Sequence, residues 1–469
     1  MTPKKIAAFA LGPLGGALLG FITLPIITWF FSQQDIGRLA MLTVVNSFCT
    51  LLFSLGLDQG YVREFHETKC KPGLFKTAIL PGLLLLIITL SILLGTNNII
   101  ALWLFEIDSY FLSLLVALVI LATFISRFLS LILRMNEQGL AYSMSQVLPK
   151  LLLILIIVSY VVLSIDKSLT NLLLANVAAT VFVCVIYAWN TRKDWLAAIK
   201  EQIDYTYLKN LLSFGTPLIF GGLAFWGLTA TDKILLKELS SYEQLGLYSV
   251  AVSFAAAATI FQSVFSTVWA PTVYKWAAKG ENLDKILQVN RYVLLAVIIL
   301  FSLAGLFSWL ITLLLPEPYY AVQWILLSCL GYPLLYTLSE TTVVGIGVTR
   351  RSGFAMLAAC IAFIINLLGN WWLIPIYGAA GAAVSTCIAF WVFFIMRTEF
   401  AIYLWKPTPR LAMYGYSTLL VAGAVITSLY GRNYNTQLII FWLLMLFSVL
   451  IFFKSELQDL KSWLLKKKS

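Results

Sequence analysis

Five charged side chains lie within or at the edge of long apolar stretches of the sequence, and their types decide what chemistry the chain can offer. The cations are Arg127 and Lys150, and the carboxylates are Asp58, Asp232 and Glu340. A charged side chain near the centre of a membrane helix costs about 2.5–3.5 kcal/mol on insertion scales, so such residues usually face a cavity or a charged partner. Buried cations bind phosphate oxygens through charge-assisted hydrogen bonds. Buried carboxylates serve proton or cation movement.

The two cations have different positions within their apolar stretches. Lys150 directly follows Pro149 and is the deepest cation of the chain. Arg127 precedes the loop-facing Arg134 by seven residues, which is about 10 Å along a helix. Both side chains are therefore candidates for binding an anion inside the membrane. The alternative is snorkelling, in which the long aliphatic stem lies in the apolar layer and the charge reaches the headgroups.

The carboxylates are candidates for ion coupling or gating. Asp58 opens a cytoplasmic run that also contains Arg63 and Glu64, and Asp58 and Arg63 are expected to meet only loosely because they are five residues apart. Asp232, next to Lys233, closes an apolar stretch, where a helix cap or a local ion pair is the alternative. The single histidine of the chain lies in the Asp58 run, so proton coupling within the membrane would have to use a carboxylate.

The elements that carry these residues are membrane helices. The chain has 469 residues, of which 61% are hydrophobic and 11% charged, whereas soluble domains average about 25% charged residues. A spanning helix needs about 20 mostly apolar residues, and continuous apolar runs favour helices over barrel strands. The sequence therefore predicts an all-α polytopic membrane protein with fourteen spans. These are 6–31, 36–57, 77–96, 110–134, 144–163, 170–190, 211–232, 245–269, 289–315, 321–346, 353–375, 378–401, 410–430 and 437–453.

The distribution of lysine and arginine predicts the orientation of the chain. With the N-terminus inside, 25 of the 32 lysines and arginines fall in inside segments and five in outside segments. This positive-inside bias predicts that both termini are cytoplasmic. The formal net charge of +11 then reflects topology and attraction to membrane lipids rather than binding to nucleic acid.

The connections between the spans are short, and this excludes several functions. No segment is long enough for a nucleotide-binding domain and no G-x-x-x-x-G-K-[ST] phosphate loop occurs, so the chain does not hydrolyse ATP. A membrane enzyme that transfers glycans is expected to need a larger loop outside the membrane and is the less favoured alternative. The six cysteines show no metal-binding spacing. We predict no catalytic residue, no cofactor and no metal site.

Similar motifs recur about 205–214 residues apart and predict an internal repeat. The matching pairs are Phe9-Ala10-Leu11-Gly12-Pro13-Leu14 with Phe214-Gly215-Thr216-Pro217-Leu218, Ser32-Gln33-Gln34-Asp35-Ile36-Gly37 with Ser241-Tyr242-Glu243-Gln244-Leu245-Gly246, and Glu137-Gln138-Gly139 with Arg351-Ser352-Gly353. We expect two pseudo-symmetric six-helix lobes, 1–200 and 201–405, followed by two helices and a basic tail, 406–469. Internal repeats place substrate sites at the lobe interface in secondary transporters. The offset of 214 residues sets Glu340 opposite Ser126, next to Arg127. This predicts a contact between Arg127 and Glu340, with an ion pair that serves only helix packing as the alternative.

The run Leu55-Gly56-Leu57-Asp58-Gln59-Gly60-Tyr61-Val62-Arg63-Glu64-Phe65 after the second of fourteen spans resembles the polysaccharide flippases of the multidrug/oligosaccharidyl-lipid/polysaccharide superfamily. Among these, the chain is most similar to the Wzx-type O-antigen flippases. The Gly-Pro-Leu-Gly-Gly start of the first span and the Gln-Asp-Ile-Gly turn also fit this pattern. Asp58, Arg63 and Glu64 are the residues that match the family directly.

The resemblance implies a bacterial inner-membrane protein of O-antigen or lipopolysaccharide biosynthesis that moves undecaprenyl-diphosphate-linked oligosaccharide outward by alternating access. Its partners would be membrane lipids and, in the same pathway, a polysaccharide polymerase and a chain-length regulator. We expect cations and polar side chains to line the substrate cavity; the candidates are Arg63, Arg127, Lys150, Gln262 and Asn366. Asp58, Glu64, Asp232 and Glu340 remain the candidates for ion coupling or gating. The alternative is a drug/cation antiporter of the same superfamily.

Overall fold

The computed structural model describes residues 3–96, 98–278, 284–349, 351–406 and 408–466. Throughout these ranges the chain forms helices joined by turns, which confirms the predicted all-α membrane fold. Within these described ranges, thirteen helices are long and apolar enough to cross a membrane, and a shorter apolar helix covers Leu14–Thr28, where the first span is predicted. Four cations that the predicted topology places inside, Lys279, Arg350, Lys467 and Lys468, lie outside the described residues.

The chain forms two compact units, and the first covers Met1–Lys233. Its last helix continues a short way into the second unit. The helices are α1 (Pro3–Thr28), α2 (Gln33–Phe53), α3 (Leu57–Glu64), α4 (Lys71–Gly95), α5 (Ile99–Phe105), α6 (Tyr110–Met135), α7 (Gly139–Val162), α8 (Leu169–Asn190), α9 (Arg192–Lys200) and α10 (Tyr205–Leu239). The short helices α3, α5 and α9 occupy segments for which the sequence predicts loops. The division into 1–200, 201–405 and 406–469 stays a prediction.

The second unit covers Ile234–Ser469. Its helices are α11 (Tyr242–Ala278), α12 (Asp284–Phe307), α13 (Ile311–Leu314), α14 (Val322–Cys329), α15 (Gly331–Thr342), α16 (Val344–Val348), α17 (Ser352–Tyr377), α18 (Ala379–Leu404), α19 (Leu411–Tyr430), α20 (Asn435–Phe452) and α21 (Lys454–Lys466). The tenth predicted span, 321–346, is therefore divided into α14, α15 and α16. Backbone hydrogen bonds continue across the divisions, from Leu330 N–H to the Leu326 carbonyl at 3.0 Å and from Val343 N–H to the Ser339 carbonyl at 3.0 Å.

Serine side chains start three of the helices in the first unit. The Ser32 hydroxyl accepts a hydrogen bond from the backbone N–H of Asp35, and Ser109 and Ser168 make the same bond at the starts of α6 and α8. Such a cap satisfies one of the N–H groups that the first turn leaves without a partner. The serine therefore fixes the residue at which each helix begins.

The turn between α2 and α3 depends on a close approach of two glycines. Leu55 and Gly56 have φ angles of 51° and 67°, a left-handed conformation that glycine adopts without strain. A Cβ atom on Gly56 would lie 2.3 Å from the carbonyl oxygen of Gly215 in α10, and a Cβ on Gly215 would lie 2.7 Å from the backbone of Gly56. The absence of both side chains allows α10 to pack directly on this turn.

We expect Gly215→Ala to destabilise the protein, because the added methyl group cannot fit against the Gly56 backbone. Overpacking of this kind costs about 1–3 kcal/mol. Gly221→Ala is the matched control, since it lies on the same helix, where an added Cβ would have no atom within 4 Å, and alanine favours helix over glycine. The melting temperature of the detergent-solubilised protein measures both. Equal melting temperatures for the two variants would contradict this role of the glycine contact.

Candidate functional site

An ion pair joins α3 and α6 inside the first unit. Arg127 Nη2 lies 2.9 Å from Asp58 Oδ2, and Gln59 donates a second hydrogen bond to the same carboxylate oxygen at 2.9 Å. The Asp58 side chain is only 9% exposed, whereas that of Arg127 is 44% exposed. The short helix α3 places Asp58 in its first turn, where the helix dipole also favours a carboxylate. Asp58 therefore pairs with Arg127, a partner that sequence spacing did not identify, and not with Arg63, which was expected to meet it only loosely.

Arg127 also lines a polar cavity within the first unit. The cavity has a volume of about 340 Å³ and is enclosed by side chains of α2, α6, α7 and α8. Eleven of its fifteen lining residues carry a hydroxyl, amide or guanidinium group, and Arg127 is the charged residue among them. Ligand pockets range from about 300 to 1,000 Å³ and place a few convergent polar groups. This cavity therefore meets the size and polarity expected of a small-ligand site, in a unit whose spans are otherwise apolar.

The cavity wall consists of polar stripes at helical spacing. Thr43, Asn46 and Thr50 recur on one face of α2, and Thr123, Ser126, Arg127 and Ser130 recur on one face of α6. Residues three, four and seven positions apart share a helix face. The threonines and serines of these stripes were not among the sequence-predicted site residues. Their spacing of three, four and seven positions along a helix could have identified them from the sequence.

Lys150 does not line this cavity and instead contacts the backbone of α1. Its ammonium donates a hydrogen bond to the Gly16 carbonyl oxygen at 2.5 Å, and it occupies the space where a Cβ of Gly20 would stand. A buried ammonium needs such acceptors, since an unpaired charge in an apolar environment is costly. The structure thus places Lys150 at a contact between α7 and α1, and its role in substrate binding stays a prediction.

Arg63 and Glu64 belong to the contact between α3 and α10. Arg63 lies 3.6 Å from the Glu64 carboxylate and its guanidinium stacks on Phe214 at 4.4 Å from the ring centroid. Glu64 also accepts a hydrogen bond from the Tyr207 hydroxyl at 3.1 Å. On the buried side of α3, burial raises the pKa of the Tyr61 hydroxyl, and the negative charge of Asp194 raises it further. Tyr61 is therefore a neutral packing residue.

The second unit contains a more deeply buried ion pair. Arg397 Nη2 in α18 lies 2.9 Å from Glu340 Oε1 in α15, and both side chains are 11% exposed. Arg397 also donates to the Ser339 hydroxyl at 2.7 Å, and its guanidinium faces the rings of Phe393 and Tyr336 at 4.8 and 5.2 Å. The predicted topology counts Arg397 among the inside cations of a loop. Its position within the apolar run of α18 was the signal that it is buried.

Arg127 and Glu340 each form an ion pair within their own unit, and the predicted contact between the two residues stays a prediction. Each of the two charges has a different partner within its own unit: Asp58 for Arg127 and Arg397 for Glu340. These two partners were not predicted, because the sequence analysis placed Asp58 at the start of a cytoplasmic run and counted Arg397 among the inside cations. Both residues are buried in the structure.

The remaining candidates lie in buried polar contacts of helices. Asn366 on α17 is fully buried and donates to the Thr386 hydroxyl of α18 at 3.0 Å, while Asn370 donates to the Asn366 carbonyl oxygen at 3.1 Å. Gln262 on α11 is a hydrogen-bond neighbour of Tyr332. Asp232 on α10 is 2% exposed, beside Lys233. The bond of Asn366 to Thr386 is a helix–helix hydrogen bond of the kind common among polar residues of membrane proteins. A substrate or coupling role for Asn366, Gln262 and Asp232 stays a prediction.

A family model described as "Polysaccharide biosynthesis protein" matches residues 3–276 of the chain, which is more than half of its length. The chain belongs to this family. A relative of this chain, "Probable low-salt glycan biosynthesis flippase Agl15" of Haloferax volcanii, is 20% identical to it over 266 residues. The alignment covers 55% of this chain and 56% of that protein, so the chain matches little more than half of the relative's length.

Solved structures share the fold of this polysaccharide biosynthesis protein. "Lipid II flippase MurJ, inward closed conformation" has a TM-score of 0.67 and 14% identity, covering 95% of this chain and 99% of that one. A multidrug resistance MATE family transporter of the MOP superfamily, in an inward-facing conformation, has a TM-score of 0.54 and 14% identity, covering 83% and 95%. At this identity the likeness shows a shared fold and nothing more.

Proposed function

We propose that this polysaccharide biosynthesis family member is a flippase that moves a lipid-linked glycan from one membrane leaflet to the other. The cargo would be an oligosaccharide joined through a diphosphate to a long polyprenyl lipid. The observation that carries the proposal is the polar cavity of the first unit, which is lined by the guanidinium of Arg127. The family, the name of the Haloferax relative and the fold shared with a lipid II flippase support it.

Arg127 is suited to the diphosphate because it combines exposure to the cavity with a replaceable partner. Its side chain is 44% exposed and pairs with a single carboxylate, Asp58. Guanidinium binds phosphate and carboxylate oxygens with the same two-pronged geometry. An entering diphosphate would compete with Asp58 for this guanidinium, so the ion pair would re-form after the cargo leaves. The protein would in this way avoid an unpaired buried charge in the empty state.

The charge of the cargo gives the transport a direction. Moving one charge across 100 mV corresponds to about 2.3 kcal/mol, so outward passage of about two negative charges is favoured by roughly 4–5 kcal/mol when the cytoplasm is negative. We propose that the membrane potential assists flipping, with cation antiport as an additional driving force. Proteoliposomes under imposed potassium diffusion potentials test this step. If the flipping rate does not change with the sign or size of the potential, the proposal that the membrane potential assists flipping is wrong.

The experiment that tests the function itself uses the purified chain in proteoliposomes. A fluorescently labelled polyprenyl-diphosphate oligosaccharide is placed in the membrane, and a quencher that cannot cross it measures how much label reaches each leaflet. The expected result is movement of label that depends on the protein. If the protein does not move the label but exchanges cationic drugs for protons across the vesicle membrane, it is a drug/cation antiporter instead. That activity needs an available carboxylate, whereas Asp58 and Glu340 are both paired with arginines.

Finer parts of the proposal come from the resemblance to O-antigen flippases. We propose that the glycan is an O-antigen or similar repeat unit on undecaprenyl diphosphate, moved by alternating access across a bacterial inner membrane, with both termini cytoplasmic. A polysaccharide polymerase and a chain-length regulator would act on the exported unit. Accumulation of the lipid-linked repeat unit on the cytoplasmic face after deletion of the gene would support this assignment. Normal polymer at the cell surface in the deletion strain would contradict it.

A further inference from the structure

We propose that the cavity of the first unit binds a neutral sugar ring of the cargo, with the diphosphate confined to the Arg127 end. This inference rests on the proposed function and assigns the part of the cargo that the cavity holds. It follows from the direction of the hydrogen bonds around the cavity, which leave the wall rich in acceptors.

Four hydroxyl groups of the cavity wall donate hydrogen bonds to the backbone of their own helices. Each donates to a backbone carbonyl three or four residues earlier, so its oxygen keeps lone pairs that remain able to accept. The four bonds run from Thr43 to Leu39 at 3.0 Å, Thr50 to Asn46 at 2.8 Å, Ser130 to Arg127 at 2.7 Å and Thr180 to Asn176 at 2.8 Å. On three of the four lining helices the wall therefore presents hydroxyl oxygens as acceptors.

Asn46 adds a further acceptor that the protein leaves unused. Its amide nitrogen donates to the Thr123 hydroxyl at 3.0 Å, while its buried Oδ1 has no hydrogen-bond partner among the described residues. The Ser126 and Tyr187 hydroxyls are also buried without a hydrogen bond of standard geometry, although Ser126 interacts with the Cys184 thiol and Tyr187 with the Ser145 hydroxyl. Buried polar atoms without partners are rare in native proteins and require an explanation. For Asn46 Oδ1, which can only accept, a ligand that donates a hydrogen bond supplies one.

The acceptor-rich wall discriminates between the two polar parts of the cargo. A diphosphate has only acceptor oxygens and carries negative charge, so it gains nothing from threonine oxygens whose protons point elsewhere. A sugar ring carries several O–H donors and no charge. The charges of Asp58 and Arg127 cancel within their ion pair. A neutral sugar can therefore bind in the rest of the cavity without electrostatic repulsion. The volume of about 340 Å³ lies at the small end of ligand pockets, which suits one ring rather than a whole oligosaccharide.

The test removes two acceptors without changing the shape of the cavity. Thr50→Val/Thr180→Val replaces each hydroxyl by a methyl group of similar size. Thr89→Val/Thr418→Val is the matched control, because both threonines make the same bond to their own helix and neither lines the cavity. Each lost neutral hydrogen bond weakens binding by about threefold to tenfold. In the proteoliposome assay we expect the KM for the glycan-bearing lipid to rise by about tenfold to a hundredfold in the cavity variant alone.

A sugar-free polyprenyl diphosphate, used as a competitor of flipping, separates the sugar from the diphosphate. Its inhibition constant should be the same in the wild type, the cavity variant and the control. A parallel weakening of the competitor in the cavity variant would show that the wall holds the diphosphate, and the proposal would fail. An unchanged KM for the glycan-bearing lipid would also overturn it, because the cavity would then hold water only.

A binding measurement on the detergent-solubilised protein distinguishes failure of this inference from failure of the proposed function. Galactose, N-acetylglucosamine and inorganic pyrophosphate are the probes, and a bound ligand raises the melting temperature. We expect both sugars to stabilise the wild type and the control more than the cavity variant. If the wild type moves no lipid-linked glycan but shows this difference, the flippase proposal fails and the sugar site stands. A response to pyrophosphate alone that the cavity variant loses, or the same response to sugars in all three proteins, would overturn the sugar site.

Discussion

Replacing Arg127 by glutamine should slow flipping of the lipid-linked glycan by about tenfold to a hundredfold. Hydrogen bonds to charged groups contribute about 1.5–3 kcal/mol, and Arg127 is the charged residue of the cavity. Arg127→Lys should give an intermediate rate, because lysine keeps the charge but loses the two-pronged geometry. Initial rates in proteoliposomes at equal protein content measure the effect. Arg134→Gln, an exposed arginine seven residues later on the same helix, is the matched control.

The single substitution also leaves the Asp58 carboxylate buried without its partner, so a loss of folding has to be separated from a loss of binding. Removing one member of a buried pair costs more than removing both. Asp58→Asn/Arg127→Gln therefore should recover the expression and melting temperature that Arg127→Gln loses. We expect the double variant to remain slow in flipping, because no guanidinium is left to bind the diphosphate. Wild-type flipping by the double variant would show that the pair only holds α3 against α6.

The fold was predictable from the sequence because lipid imposes simple requirements. Apolar runs of sufficient length and the shortage of charges left helical spans as the available solution. The part of the chain that the structure describes has thirteen such helices and a shorter apolar helix over Leu14–Thr28. The short helix α3 was not predicted, since its eight residues carry charges and lack the length of a span. Its formation depends on the tertiary contacts of Gly56 and Tyr61 rather than on local propensity.

The candidate site was predictable only in part. A charge in an apolar run singles out Arg127, Glu340 and Asp58, but spacing within one segment does not identify a partner from another segment. Asp58 and Arg127 are 69 residues apart, and only the packing of α3 against α6 brings them together. The polar stripes of α2 and α6 could have been found from their helical spacing. The direction in which each hydroxyl donates its proton required the structure.

Glu340→Gln should be the most destabilising single substitution discussed for the second unit. It leaves the guanidinium of Arg397 without its carboxylate in a place where both side chains are 11% exposed. Breaking a buried pair in this way costs about 3–5 kcal/mol, which corresponds to roughly 6–20 °C in melting temperature for a unit of this size. The rings of Tyr336 and Phe393 retain some attraction for the cation, so the loss should lie toward the lower end of that range. Thermal unfolding of the detergent-solubilised protein measures it.

Two further variants separate a structural pair from an ion-coupling carboxylate. Glu399→Gln is the matched control, because Glu399 lies on the same helix as Arg397 and forms a 2.8 Å pair with Arg410 that is about two-fifths exposed; exposed pairs contribute about 0–1 kcal/mol. Glu340→Gln/Arg397→Met should regain most of the lost stability, since neither charge remains to be buried. If the pair serves packing, this double variant also regains flipping. If Glu340 couples transport to a proton or cation, both Glu340 variants lose that coupling even where the melting temperature is restored. The Arg397 partner and its aromatic surroundings favour the first outcome, because they hold both charges of the pair within buried helix contacts of the second unit.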